Sequence, residues 1–180
     1  AVSEGVAEDT HRLTGLPHDA HGLLDRILET WLAELGQERL QEPLSYCLKE
    51  LIGNAWKANA KRLYFEDKGL DIRYDADYNR GMHDFRRESA DHLADYHERL
   101  KERGIGISVS FQARGGTIGI TVRNGVEMTP REQSRVFDRI ARARAYASFF
   151  EALAAPIDTT EGAGLGILML LQFLKRVGCG

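Results

Sequence analysis

The residues best suited to chemistry lie in the run Glu50-Leu-Ile-Gly-Asn54-Ala-Trp-Lys57. On an α-helix Glu50, Asn54 and Lys57 fall at i, i+4 and i+7, so all three project from one face. An amide oxygen can ligate Mg²⁺, an ammonium can neutralise phosphate, and a carboxylate can orient or deprotonate a nucleophile. A phosphate–metal–water site needs that set. The same residue types also decorate ordinary solvated helix faces, so this segment alone leaves both readings open.

A second candidate is Glu161-Gly162-Ala-Gly164-Leu-Gly166-Ile167, which runs straight into an apolar helical pattern. Glycines at alternate positions let backbone N–H groups approach a phosphate, and a helix N-terminus adds partial positive charge. A Rossmann reading needs a strand just before the glycines and an acidic residue about 20 positions later. Here an Ala-rich segment precedes them and the chain ends 14 residues after Gly166. A P-loop is excluded because no Gly-Lys-Ser/Thr follows.

The elements that must position these residues can be read from periodicity. Leu23, Leu24, Ile27, Leu28, Trp31, Leu32 and Leu35 form a helical stripe, with Gly36 as its stop. A second helix follows Pro43, with Leu44, Leu48, Leu51, Ile52 and Ala55 on its buried side. Lys61 to Glu66 reads as a strand, 67–75 as a loop, and 76–103 as one long charged helix, a solvated or partner-facing insertion. Ile107, Val109 and Phe111 alternate with Ser108, Ser110 and Gln112, which is strand periodicity. Gly115-Gly116 is a hairpin signal, and Ile118, Ile120 and Val122 mark the partner strand. A short helix at Pro130–Ile140, an Ala/Arg-rich stretch to Thr160 and a closing helix at Ile167–Val177 complete the order. Residues 1–19 are polar and expected to be loosely held.

Composition narrows the class. The 180 residues suit one domain with a single core, and 43% hydrophobic with 28% charged content is ordinary for a globular protein. A net charge of −3 gives no broad attraction to nucleic acid or anionic lipid, so phosphate binding must be local. Two cysteines, Cys47 and Cys179, argue against a disulfide framework and for a reducing cytoplasm. No apolar run approaches the ~20 residues of a membrane span, and the acidic start (Glu4, Glu8, Asp9) is unlike a signal peptide. The first residue is not Met, so a fragment of a longer protein is expected.

Taken together, the two boxes resemble one superfamily: DNA gyrase, the heat-shock chaperones, histidine kinases and mismatch-repair ATPases. ELIGNAWKANAKRLYF resembles its N box, and EGAGLGI its second glycine box, which closes over the triphosphate. Val136-Phe137-Asp138, flanked by Arg135 and Arg139, is similar to the Phe-containing segment that opens the ATP lid in histidine kinases. The resemblance covers residues 20–178. It implies a Bergerat-type ATP-binding fold: an α/β sandwich (α+β, two layers) with a mixed sheet and helices on one face. It also implies further strands beyond Gly180.

The resemblance assigns roles. Asn54 would ligate Mg²⁺, Lys57 would touch phosphate, and Glu50 would act as base or water-orienting group. Gly162, Gly164, Leu165 and Gly166 would cradle the triphosphate of ATP, with Phe137 at the lid. Residues 138–160 would form that lid, weakly packed over 141–160, with Arg139, Arg142 and Arg144 able to reach phosphate. Where the family reads Asp-x-Gly-x-Gly, this chain has Arg123-Asn124-Gly125-Val126-Glu127. The family's Asp accepts a hydrogen bond from the adenine amino group. Arg123 should point away from the core, which leaves Asn124, followed by Gly125, to meet the base.

The implied function is that of the ATP- and Mg²⁺-binding catalytic domain of a sensor histidine kinase or related signalling ATPase. Its partner would be a response regulator or phosphoacceptor domain, and any homodimer would form through regions outside this chain. Two rivals stay open: a regulatory nucleotide-binding module without kinase activity, and an anti-sigma-type serine kinase. Among six histidines, His18-Asp19 and His97-Glu98 have an acid next to the ring, but neither stands where a phosphoacceptor belongs. Both are expected at the surface. No His pair has metal-ligand spacing, so no zinc is expected.

Overall fold

Leu70 N–H bonds the Phe65 carbonyl at 2.9 Å and Gly69 N–H bonds Glu66 at 3.1 Å, which closes a helix where a strand was expected to end. Gly69 has φ +64°, the left-handed geometry such a helix end requires. Gly36 (φ +63°) ends the first helix by the same pair of bonds, as its sequence position predicts. The computed structural model describes residues 7–14, 17–88, 92–114, 117–146, 165–176 and 178.

The order is β1 (Ala7–Leu13), α1 (Pro17–Glu34), a 3₁₀ turn (Glu38–Leu40), α2 (Gln41–Asp67), α3 (Asp75–Glu88), α4 (Leu93–Glu102), β2 (Ile107–Arg114), β3 (Thr117–Asn124), α5 (Pro130–Ala145) and α6 (Leu165–Arg176). The class is α+β. The described chain falls into two compact units. One comprises Ala1–Ala60 with Ala94–Gly125, the other Lys61–Leu93 with Val126–Gly180. Helix α2 is continuous and contributes to both.

The first unit holds the sheet, ordered β1-β2-β3 and antiparallel throughout rather than mixed. Ile107, Val109, Phe111 and Ala113 are buried and alternate with the polar face, as their spacing predicts. Arg114 pairs with Thr117, and the hairpin signal Gly115-Gly116 lies outside the described residues. Trp31 of α1 lies against Phe111, ring centroids 6.4 Å apart. Leu24, Leu28 and Leu32 of α1 are fully buried, while Leu23 is exposed. Ser45 and Lys49 of α2 both bond the Asp25 carboxylate of α1. Burial raises the Asp25 carboxyl, but those two bonds outweigh it and hold it below its usual range. The segment expected to be loosely held contains β1, which pairs with β2 along its whole length.

The second unit overturns two readings. Lys61–Glu66 is the last part of α2, because Ala60, Leu63 and Tyr64 are buried at helical, not alternating, spacing. The charged stretch 76–103 is two helices. Tyr78, Met82 and Phe85 of α3 are buried in this unit, whereas Tyr96, His97 and Leu100 of α4 are buried in the first. Tyr64 and Phe85 approach to 5.3 Å and Phe65 and Tyr78 to 6.2 Å between centroids. A Cβ placed on Gly81 would meet the Phe65 ring at 2.4 Å, so α3 lies directly on that ring. Helix α5 opens with Pro130 after a Thr129–Glu132 capping box. It packs on α6, where Gln172 donates to the Ala143 carbonyl at 3.1 Å.

Candidate functional site

Helix α2 turns Leu48, Ile52, Trp56 and Ala60 inward, each at most 8% exposed. That orientation leaves Asn54 and Lys57 exposed and Glu50 half-buried on the other side. The three polar groups thus share an accessible face, as their spacing predicts. Burial, joined by the Glu50 charge, pushes the Tyr46 phenol up. Burial chiefly, with Glu50 contributing, does the same to the Cys47 thiol. Cys47 is therefore a protonated, buried residue and no nucleophile.

The strand end that should meet the base lies in the same unit. Asn124 pairs with Ile107 and follows Ile120 and Val122 on the sheet's inner side, half-buried. Arg123, opposite Ser108, is exposed on the outer side, so it cannot stand in for an inward carboxylate. A Cβ on Gly125 would come within 3.3 Å of the Gly106 carbonyl oxygen. That same oxygen accepts a long bond of 3.4 Å from the Asn59 amide of α2. Gly106 is thus the place where α2 and the end of β3 come together.

The other expected residues belong to the second unit. Phe137 is 60% exposed on α5. Arg142 and Arg144 are exposed and Arg139 is half-buried. Residues 138–145, assigned above to a weakly packed lid, are helical, and Ala143 is buried beneath α6. The remainder of the expected lid, 147–160, and the glycines Gly162 and Gly164 lie outside the described residues. Leu165 and Gly166 form the first turn of α6, so the helix begins two residues earlier than its apolar pattern indicates. His18 lies in α1, whereas His97, expected at the surface, is buried on α4.

Sequence reasoning missed Glu132, a buried group with several bonding partners. It is 6% exposed and accepts from both Arg62 guanidinium nitrogens, from Lys61, and from the Thr129 N–H at 2.9 Å and hydroxyl at 3.1 Å. Arg62 also donates to the Glu127 carbonyl at 2.7 Å. Burial raises the Glu132 carboxyl, but the Arg62 bonds, the Lys61 charge and bond, and the Thr129 N–H outweigh it and bring it down to about 2. Beside it Tyr78, 2% exposed, has Arg131 stacked 4.2 Å from its ring and accepts at its hydroxyl from Arg135 at 3.1 Å. Thr129-Pro130-Arg131-Glu132 was a readable capping signature. Lys61 and Arg62 were hidden by the strand reading.

Comparison with known proteins adds a relative but no family. No family model matches the chain, and no solved structure matches it. It is similar to an uncharacterized protein of Treponema pallidum (strain Nichols), 41% identical over 163 residues, which are 91% of this chain and 32% of that protein. The chain thus spans about a third of that relative's length. Among the described residues, no helix is long and apolar enough to cross a membrane.

Proposed function

We propose that this chain binds ATP with Mg²⁺ and serves as the nucleotide-binding domain of a histidine-kinase-like signalling ATPase. One observation carries the reading: Glu50, Asn54 and Lys57 share an accessible face of a helix whose opposite face is buried. On this reading the Asn54 amide oxygen ligates Mg²⁺, Lys57 meets a phosphate oxygen, and Glu50 orients or deprotonates the attacking group. Asn124 offers the base an amide oxygen from the end of β3. A cytoplasmic setting and a phosphoacceptor or response-regulator partner follow from the same reading.

The outward Arg123 favours one further possibility, a module that binds nucleotide without transferring phosphate. Asn54→Ala tests the shared part of both readings. Loss of a ligand to a charged centre costs roughly 1.5–3 kcal/mol, so Mg²⁺-dependent ATP affinity should fall roughly ten- to hundredfold. Calorimetric titration with and without Mg²⁺ reads this out, and unchanged affinity removes Asn54 from the site. Transfer of labelled phosphate to a partner then separates a kinase from a silent binder.

A further inference from the structure

Helix α5 spends its charges on one side and leaves its aromatic ring on the other. Within the second unit Arg131 pairs with Asp75 and stacks on Tyr78, Glu132 is buried, and Arg135 donates to the Tyr78 hydroxyl. The opposite side carries Ser134, Phe137, Asp138, Ala141, Arg142 and Ala145. These recur at i, i+3, i+4, i+7, i+8 and i+11, the spacing of one helix face, and all six are exposed. Phe137 stands within this stripe, 60% exposed. Neither Asp138 nor Arg142 takes part in an ion pair with any described residue.

A single exposed ring is ordinary by itself. What marks this face is that it complements itself. Asp138 and Arg142 lie one turn apart on one flank of the ring. Let two such helices pack antiparallel about a two-fold axis that passes between these positions. Asp138 of each copy then lies opposite Arg142 of the other, and two ion pairs form together. The same axis sets Phe137 of each copy against Ala141 of the other, where a small side chain leaves room for the ring. A parallel pairing would bring like charges together and is disfavoured.

We propose that the outer face of α5 is a contact through which two copies of this chain associate, antiparallel and two-fold, around Phe137. The contact lies within the chain, unlike the homodimer that the resemblance implies, and it stands independently of the nucleotide reading. One helix pair makes a small interface, so the dimer is weak and reversible, with a dissociation constant of about 10–100 µM.

Sedimentation of the whole chain from about 1 to about 500 µM tests this. Wild type should pass from monomer to dimer across that range. Phe137→Ser should raise the dissociation constant about tenfold or more, as loss of a central aromatic anchor does. Asp138→Arg and Arg142→Asp should each stay monomeric alone, because like charges then meet twice. Mixed in equal amounts, these two variants should form a heterodimer, because each copy supplies the charges that the other needs. Circular dichroism checks the fold of each variant, and Phe137→Ala or Arg142→Ala replaces one that fails. Wild type that remains monomeric throughout overturns the proposal. A dimer untouched by the Phe137 variants also overturns it, because association then lies elsewhere. Charge variants that stay monomeric on mixing overturn it too, since the two-fold contact requires their recovery.

Discussion

Glu132→Gln should make the protein's stability lose part of its dependence on acid. Gln keeps the shape of the side chain and its place in the capping box, so the change removes charge and little else. In the folded chain the carboxyl is brought from its ordinary 4.5 down to about 2. At about 1.4 kcal/mol for each tenfold change in acidity, the ionised form adds about 3 kcal/mol to the folded state. The residue is only 6% exposed, so little is lost to solvent screening.

The sign follows from proton counting. As pH falls through 4.5 the unfolded chain takes up a proton that the folded chain refuses until about 2. The contribution is therefore complete above about pH 5 and lost between about 5 and 2. Urea midpoints for wild type and Glu132→Gln, at about pH 7, 5, 4 and 3, measure it. The difference between the two should be about 3 kcal/mol at neutral pH and roughly half that near pH 3. In a thermal melt at neutral pH this corresponds to about 6–12 °C. A difference that stays constant from neutral pH to about 3, or is below about 1 kcal/mol at pH 7, would refute the account of the Arg62–Lys61–Glu132 cluster.

Gly81→Ala should destabilise the second unit, because the new Cβ would lie 2.4 Å from a Phe65 ring wedged between Tyr64 and Tyr78. Overpacking of about 1–3 kcal/mol exceeds the ~1 kcal/mol gained in helix propensity, and a melting temperature at or above wild type would show that the ring can move aside. Glu50→Gln should keep Mg-ATP binding and lower turnover or phosphotransfer, since a base is lost while a polar group remains; a variant as active as wild type shows that no base acts there. Asn124→Asp should sharpen the preference for ATP over GTP, because an ionised acceptor bonds the amino group roughly twice as strongly as an amide. Competition of the two nucleotides for a fluorescent analogue decides it, and strong ATP selectivity that survives Asn124→Ala places base reading elsewhere.

Much of this was legible in the chain, for local reasons. The β2–β3 hairpin follows from strict alternation over eight residues, and α1 from a stripe closed by Gly36. The Glu50, Asn54, Lys57 face follows from spacing alone. What failed was decided by distant contacts. KRLYFE carries strand-favouring Tyr and Phe, yet it is the last part of α2, with Leu63, Tyr64 and Phe65 all buried in succession, a run that a buried helix and a buried strand share. β1 has little apolar alternation, and its strand character comes from pairing with a β2 some hundred residues later in the chain. The division of 76–103 into α3 and α4 leaves no proline or glycine signal in the sequence between them.

Glu50 and Glu132 have surroundings that suit them to different work. Glu132 is sealed, gripped by two cations and a cap, and so acidic that it holds geometry rather than protons. Glu50 is half-buried at the edge of the accessible face, beside Asn54 and Lys57 on the helix, where the proposed reading places a water-orienting group. On the proposed reading the residues of α2 directed at metal and phosphate share one accessible side, while Arg123, near where the resemblance expects an Asp, faces outward. On the proposed reading that outward Arg123 bears on which base is chosen and not on Mg²⁺ or phosphate. Intact Mg²⁺ dependence combined with weak discrimination between ATP and GTP is the behaviour this arrangement supports.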